Sequence, residues 1–139
     1  MNYQKIIRAS AIYDLVITTP FMFPPIAIGI IGTANQFAEA IGLRSDMTIT
    51  QDTLIWISLM ATVVTLWSIL RVISPERRFG LYDGFGRLSF SFWFLFYPLV
   101  YGTSELSYLF LGPELIWGAV QLSGYWKINY KSLLRFKYT

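Results

Sequence analysis

Two carboxylates stand inside long apolar runs of this sequence, Asp14 and Glu114. An ionisable group in hydrocarbon costs about 2.5 to 3.5 kcal/mol at a helix centre on insertion scales, so each needs a partner or a purpose. Asp14 has Ser10 and Thr18 four residues to either side, a polar stripe that must face a bundle interior. Arg87 is expected at a comparable depth, which offers two readings of Asp14: half of an intramembrane ion pair, or a working carboxylate. Asp83 is spaced i, i+4 from Arg87 and competes for the same guanidinium. Glu114 follows Pro113 and shares a helical face with Gly118, Gln121 and Tyr125. No basic residue is expected near its depth. It therefore reads as a carboxyl suited to proton coupling or ligand binding, or as a neutral group bonded to Ser58, Thr103 or Gln121.

Aromatic rings crowd the stretch before Glu114: Phe85, Phe90, Phe92, Trp93, Phe94, Phe96, Tyr97 and Tyr101. Rings facing lipid explain them most simply. The alternative is that the inner rings, with Trp117 and Tyr125, line an apolar pocket whose polar anchors are Glu114 and Gln121 and which Tyr97 also contacts. Other chemistry is excluded by composition. The chain has no cysteine and no histidine, which removes thiolate nucleophiles, disulfide exchange, thiolate or imidazole metal sites and imidazole bases. The remaining acids and hydroxyls show no spacing of nucleophile, base and orienter, so neither an enzyme nor a cofactor is expected.

These residues must be positioned by helices in a bilayer. With 55% hydrophobic and only 14% charged residues, the 139-residue chain departs from soluble domains, where about a quarter are charged. The expected fold is an all-α integral membrane protein, one domain forming a bundle of four transmembrane helices. The first runs from about 6 to 23, kinked at Pro20 and stopped near Pro24 and Pro25. An outer segment follows over 24–51, in which the run from Ile26 to Ile31 stays in the membrane or at its interface. Thr33 to Leu43 then reads either as a short amphipathic helix or as a plain loop. The second helix spans about 52–73, capped by Thr50 or Asp52; the third spans about 82–101 and the fourth about 105–126. Small residues along the second helix, Ser58, Ala61, Thr62, Thr65 and Ser68, suit close helix approach. A cleaved secretory signal ending near Ala38-Glu39-Ala40 is rejected, because the first apolar stretch is too long and contains Asp14.

Orientation follows from the basic residues: all but Arg44 of the 11 fall at the N-terminus, the second connection or the C-terminus, which places both ends in the cytoplasm. Glu39, Asp46, Asp52 and Glu105 then lie outside. Trp56 and Tyr108 mark the outer interface, and Tyr82, Tyr125 and Trp126 the inner one. The tail over 127–139 carries Lys127, Lys131 and Arg135 at i, i+4, i+8 and reads as a helix on the anionic inner leaflet or as a disordered basic tail. Clustered beside apolar runs, the positive charge is a topology signal and nucleic acid is not an expected partner.

The last helix reads Gly112-Pro113-Glu114-Leu115-Ile116-Trp117-Gly118, followed by Gln121 and Gly124-Tyr125-Trp126. This resembles the closing helix of small bacterial four-helix membrane proteins of the DoxX/BphX-like type, and the helix order, long first outer loop and basic second connection are similar too. More faintly, the chain resembles small inner-membrane ciprofloxacin-tolerance proteins of Gram-negative bacteria. The resemblance implies a bacterial inner-membrane location and a role in envelope stress or fluoroquinolone tolerance. The expected function is non-enzymatic binding of a hydrophobic or lipid-like molecule or drug by Glu114, Gln121, Trp117, Tyr97 and Tyr125, with membrane lipids as surroundings and a homo-oligomer or larger complex as a further partner. The rivals are a small proton-coupled multidrug transporter using Asp14 and an accessory subunit of a larger membrane complex.

Overall fold

Proline sets the first large feature of the fold. The computed structural model describes residues 2–45 and 47–137, with side chains as far as residue 128. Asp46, expected outside, and the side chains of Lys131, Arg135 and Lys137 in the basic tail lie beyond what is described. Helix α1 (Tyr3–Thr18) tightens into a 3-10 turn over Thr19–Met22, which opens on Pro20, and Phe23 then turns extended at φ −106° and ψ 106°. Pro24 imposes that conformation by its clash with the preceding residue. Pro24 and Pro25 begin helix α2 (Pro24–Ala40), where their missing N–H groups have no intrahelical partner to lose. The result is a bend of 110° between the first helical segment and α2.

Helix α2 corrects the expected short helix or loop over Thr33 to Leu43: it is one continuous element that starts at the proline pair. It ends at Ala40, followed after Ile41 by Gly42, whose φ of 84° suits glycine, while the N–H of Leu43 bonds the Ala38 carbonyl five residues back. Helix α3 (Gln51–Ile73) is capped by Thr50, whose hydroxyl accepts from the N–H of Thr53, and stops before Pro75. Helix α4 (Arg77–Tyr101) begins earlier than expected, because the chain re-enters a helix directly after Pro75 and packs Gly80 and Asp83 inward; it ends at Gly102 with φ 63°. A 3-10 turn over Glu105–Ser107 precedes helix α5 (Tyr108–Lys137), whose backbone continues into the basic tail.

The described residues are all helical or irregular, with no strand. Among the described residues helix α3 alone is long and apolar enough to cross a membrane, and the bent pair of Tyr3–Met22 with Pro24–Ala40 passes the same test jointly. Helices α4 and α5 carry charges that lower their hydropathy, but Asp83 and Arg87 are buried. Several polar side chains are buried while large apolar ones lie exposed among the described residues. Arg71, Ser10, Ser68 and Gln121 are fully enclosed, whereas Trp56 and Ile73 are 71% and 73% exposed.

The helices assemble as two close pairs, α1 with α3 and α4 with α5. On α3 the small side chains Ala61, Thr65 and Ser68 face α1, and the Thr19 and Thr65 hydroxyls meet at 3.3 Å. Glycines let α4 and α5 approach: a Cβ on Gly84 would stand 2.8 Å from Leu122 Cγ, and one on Gly118 would be 3.6 Å from the Gly84 carbonyl oxygen. The pairs are joined at one end by Tyr3, which sits against Gly80 and Gly124 and packs on Tyr125 with ring centroids 6.5 Å apart. At the opposite end α2 closes over them, with Ile31, Ala38 and Leu106 as a second apolar core. That end is stitched by Arg44, whose N–H donates to Glu105 Oε2 at 2.9 Å and whose guanidinium donates to the Thr103 carbonyl at 3.1 Å. Because the Leu122 branch point leaves no room, Gly84→Ala is expected to destabilise the protein by about 1 to 3 kcal/mol. Gly86→Ala, with nothing within 4 Å of its added Cβ, should be neutral or better in the same detergent melting experiment.

Candidate functional site

Where the two helix pairs meet, a charged cluster occupies the interior. Its base is Arg71, in the last turn of α3 and 0% exposed. One guanidinium nitrogen of Arg71 donates to Asp14 Oδ2 on α1, and the other to Asp83 Oδ2 on α4, each at 2.5 Å; Ser10 and Ser68 accept from it as well. The Trp67 ring lies 5.6 Å from the Arg71 guanidinium carbon, and its indole N–H donates to Asp83 Oδ1 at 2.9 Å.

Arg87, one helical turn beyond Asp83 on α4, forms the second tier. Its Nε donates to Asp83 Oδ2 at 3.1 Å, its Nη2 to Asp14 Oδ2 at 2.5 Å, and its Nη1 to both Glu114 oxygens at 3.1 and 3.2 Å. Gln121 completes the base: its amide donates to Ser10 Oγ and to Asp83 Oδ2, the latter at 2.7 Å. Three carboxylates and two guanidinia are thus interleaved, each carboxylate touching at least one arginine. Breaking such an arrangement by removing one partner leaves an uncompensated buried charge, which is far costlier than the net worth of the pair.

Glu114 departs from expectation. It was expected to have no basic neighbour, or to bond Ser58, Thr103 or Gln121. Arg87 reaches it instead, because the Gly84 and Gly118 contact draws α4 against α5 and brings a long guanidinium stem alongside the carboxyl. Asp14 meets Arg87 and so does Asp83, together rather than in competition. In the sequence Arg71 reads only as a topology signal. The overlooked clue is its spacing, three residues past Ser68 on the face that also carries Ala61 and Thr65.

The cluster borders a cavity of about 510 Å³ between the helix pairs. Its charged end is formed by Asp14, Asp83, Arg87 and Glu114; its walls are Ile17 and Phe21 beside α1, Val63, Val64 and Trp67 on α3, and Gly86, Phe90 and Phe94 on α4. Ile30, Ile31 and Ala34 of α2 form its far end. Helices α3 and α4 touch through Trp67, Phe79, Asp83 and Arg71 near their junction, and beyond that level the cavity separates them. Val63 and Tyr82 border it at 63% and 62% exposure, so it reaches the outer surface between these helices.

Of the five ligand contacts expected from sequence, only Glu114 lines this cavity. Gln121 is enclosed in the base of the charge cluster. Trp117 packs on Tyr13 with centroids 6.0 Å apart, and Tyr125 packs on Tyr3. Tyr97 lies beyond Phe94, the last α4 residue on the wall, in an exposed cluster with Trp93, Phe96 and Tyr101. The glycine-mediated closeness of α4 and α5 is the reason: it leaves no space between them, and the cavity falls on the other side of α4.

Arg71→Leu should cost about 3 to 5 kcal/mol in thermal unfolding in detergent, since it strips two buried carboxylates of their shared cation. Glu114→Gln, at the edge and bonded to Arg87 alone, should cost about 1 kcal/mol in the same experiment. The reverse order would mean that the base of the cluster is not what the structure rests on. Comparison with protein-family models, with curated proteins and with solved structures finds no match to this chain, so the functional reading rests on this geometry.

Proposed function

We propose that the chain is a non-enzymatic, multi-pass protein of the bacterial inner membrane that holds a hydrophobic or lipid-like molecule between α3 and α4. Four crossings, by α1, α3, α4 and α5, with both ends cytoplasmic, are supported by the clustering of basic residues on one side and by the inward turn of the charges on α4 and α5. The observation that carries the binding reading is the cavity itself. Its size falls within the usual range for small-molecule sites, about 300 to 1,000 Å³, and its walls are apolar with a few polar groups gathered at one end. An opening between α3 and α4 would face acyl chains, so an amphiphile could enter sideways, place its apolar body along Val63, Val64 and Phe90 and set its polar end toward Asp14 and Glu114.

The exporter alternative loses support from the same contacts. A carboxylate that exchanges protons for substrates must be free to change partners, and Asp14 is clasped by two arginines on two different helices.

Gly86 supplies the test, because a Cβ added there would have no neighbour within 4 Å and Gly86 lines the cavity. Gly86→Trp should fold with an unchanged melting profile yet lose the small molecules that co-purify with the wild type, as read by mass spectrometry of extracts from detergent-solubilised protein. Identical extracts from the two proteins would rule out the cavity as the binding site.

A further inference from the structure

The charge cluster also says what kind of polar end the cavity accepts. Asp14, Asp83 and Glu114 outnumber Arg71 and Arg87 by one formal negative charge, and the three acids are unequally engaged. Asp83 accepts from Arg71, Arg87, Gln121 and Trp67. Asp14 accepts from both arginines through Oδ2. Glu114 accepts only from Arg87 Nη1, and its side chain keeps the largest exposure of the three, 17% against 10% and 9%. Counted with all three acids ionised, the formal excess therefore falls to the carboxylate with the fewest donors, on the cavity wall.

Among the described residues Arg87 is the only cationic side chain lining the cavity, and each of its three nitrogens already donates to a carboxylate. An anionic head would find every guanidinium nitrogen of Arg87 already bonded to a carboxylate and would face three acids against two bases. Rings reinforce the preference independently. Tyr13 and Tyr82, next in sequence to Asp14 and Asp83, line the cavity as well, and aromatic faces attract cations, more strongly where water is excluded.

We propose that the cavity selects organic cations with an apolar body, seating the positive centre against Glu114 among these rings. This rests on the binding reading above and adds its charge selectivity. Tetraphenylphosphonium and tetraphenylborate are near-isosteric hydrophobic ions of opposite charge, which makes them suitable probes. Equilibrium dialysis of the full chain in nanodiscs of neutral lipid, corrected with empty nanodiscs, measures each. The wild type should bind the phosphonium and not the borate, and Glu114→Gln should weaken phosphonium binding about tenfold. The comparison of the two ions in the wild type requires no variant to fold. Equal binding of both ions, or preference for the borate, would overturn the charge selectivity while leaving the cavity reading intact. Binding of neither, or binding unaffected by Gly86→Trp, would overturn both.

Discussion

A single oxygen, Asp14 Oδ2, accepts from the guanidinium of Arg71 on α3 and from that of Arg87 on α4. Elsewhere α1 and α3 form one close pair and α4 and α5 another, so this carboxylate, with the Arg71–Asp83 and Gln121–Ser10 bonds beside it, joins halves that also meet around Tyr3 and beneath α2. In a bilayer the apolar faces of helices gain little from one another, since lipid tails are equally apolar, and association depends on close packing and polar bonds. Both are present here and divided by place. Small residues close each pair internally, and the ion cluster ties one pair to the other.

That division explains why the cavity lies where it does. The cluster holds α3 and α4 together near Pro75, while the 110° turn after Phe23 carries α2 over the opposite end. Between the two ties the helices are free to stand apart, and the space is walled by Val63, Val64, Phe90 and Phe94. The cavity is thus a consequence of the same ion cluster that supplies its polar end, and its mouth faces the side of the bundle.

Much of the helical architecture was legible because prolines and caps are local signals. Pro24, Pro75 and Thr50 mark element ends through the backbone groups they lack or satisfy, with no tertiary information needed. The need of Asp14 for a partner was legible for an equally simple reason, the cost of a bare carboxylate in hydrocarbon. The site was less legible. Arg71 looks like one of several basic residues flanking an apolar run, and only its three-residue spacing from Ser68 hints that it turns inward. Glu114 looked unpaired because depth along the sequence does not reveal that a guanidinium on a neighbouring helix reaches more than a turn away. Tyr97, Trp117 and Tyr125 suggested a pocket by composition, but glycines 84 and 118 close that side of α4, and composition cannot show which side of a helix stays open.

The most direct measurement of whether the ion cluster couples the two helix pairs is a double-mutant cycle between Asp14→Asn on α1 and Arg87→Gln on α4, read by reversible unfolding in mixed micelles. Groups in one network characteristically show interaction energies of about 0.5 to 3 kcal/mol, and a coupling in the upper part of that range is expected. Additive losses from the two substitutions would contradict it and show that Asp14 and Arg87 do not act as one tie between the helix pairs.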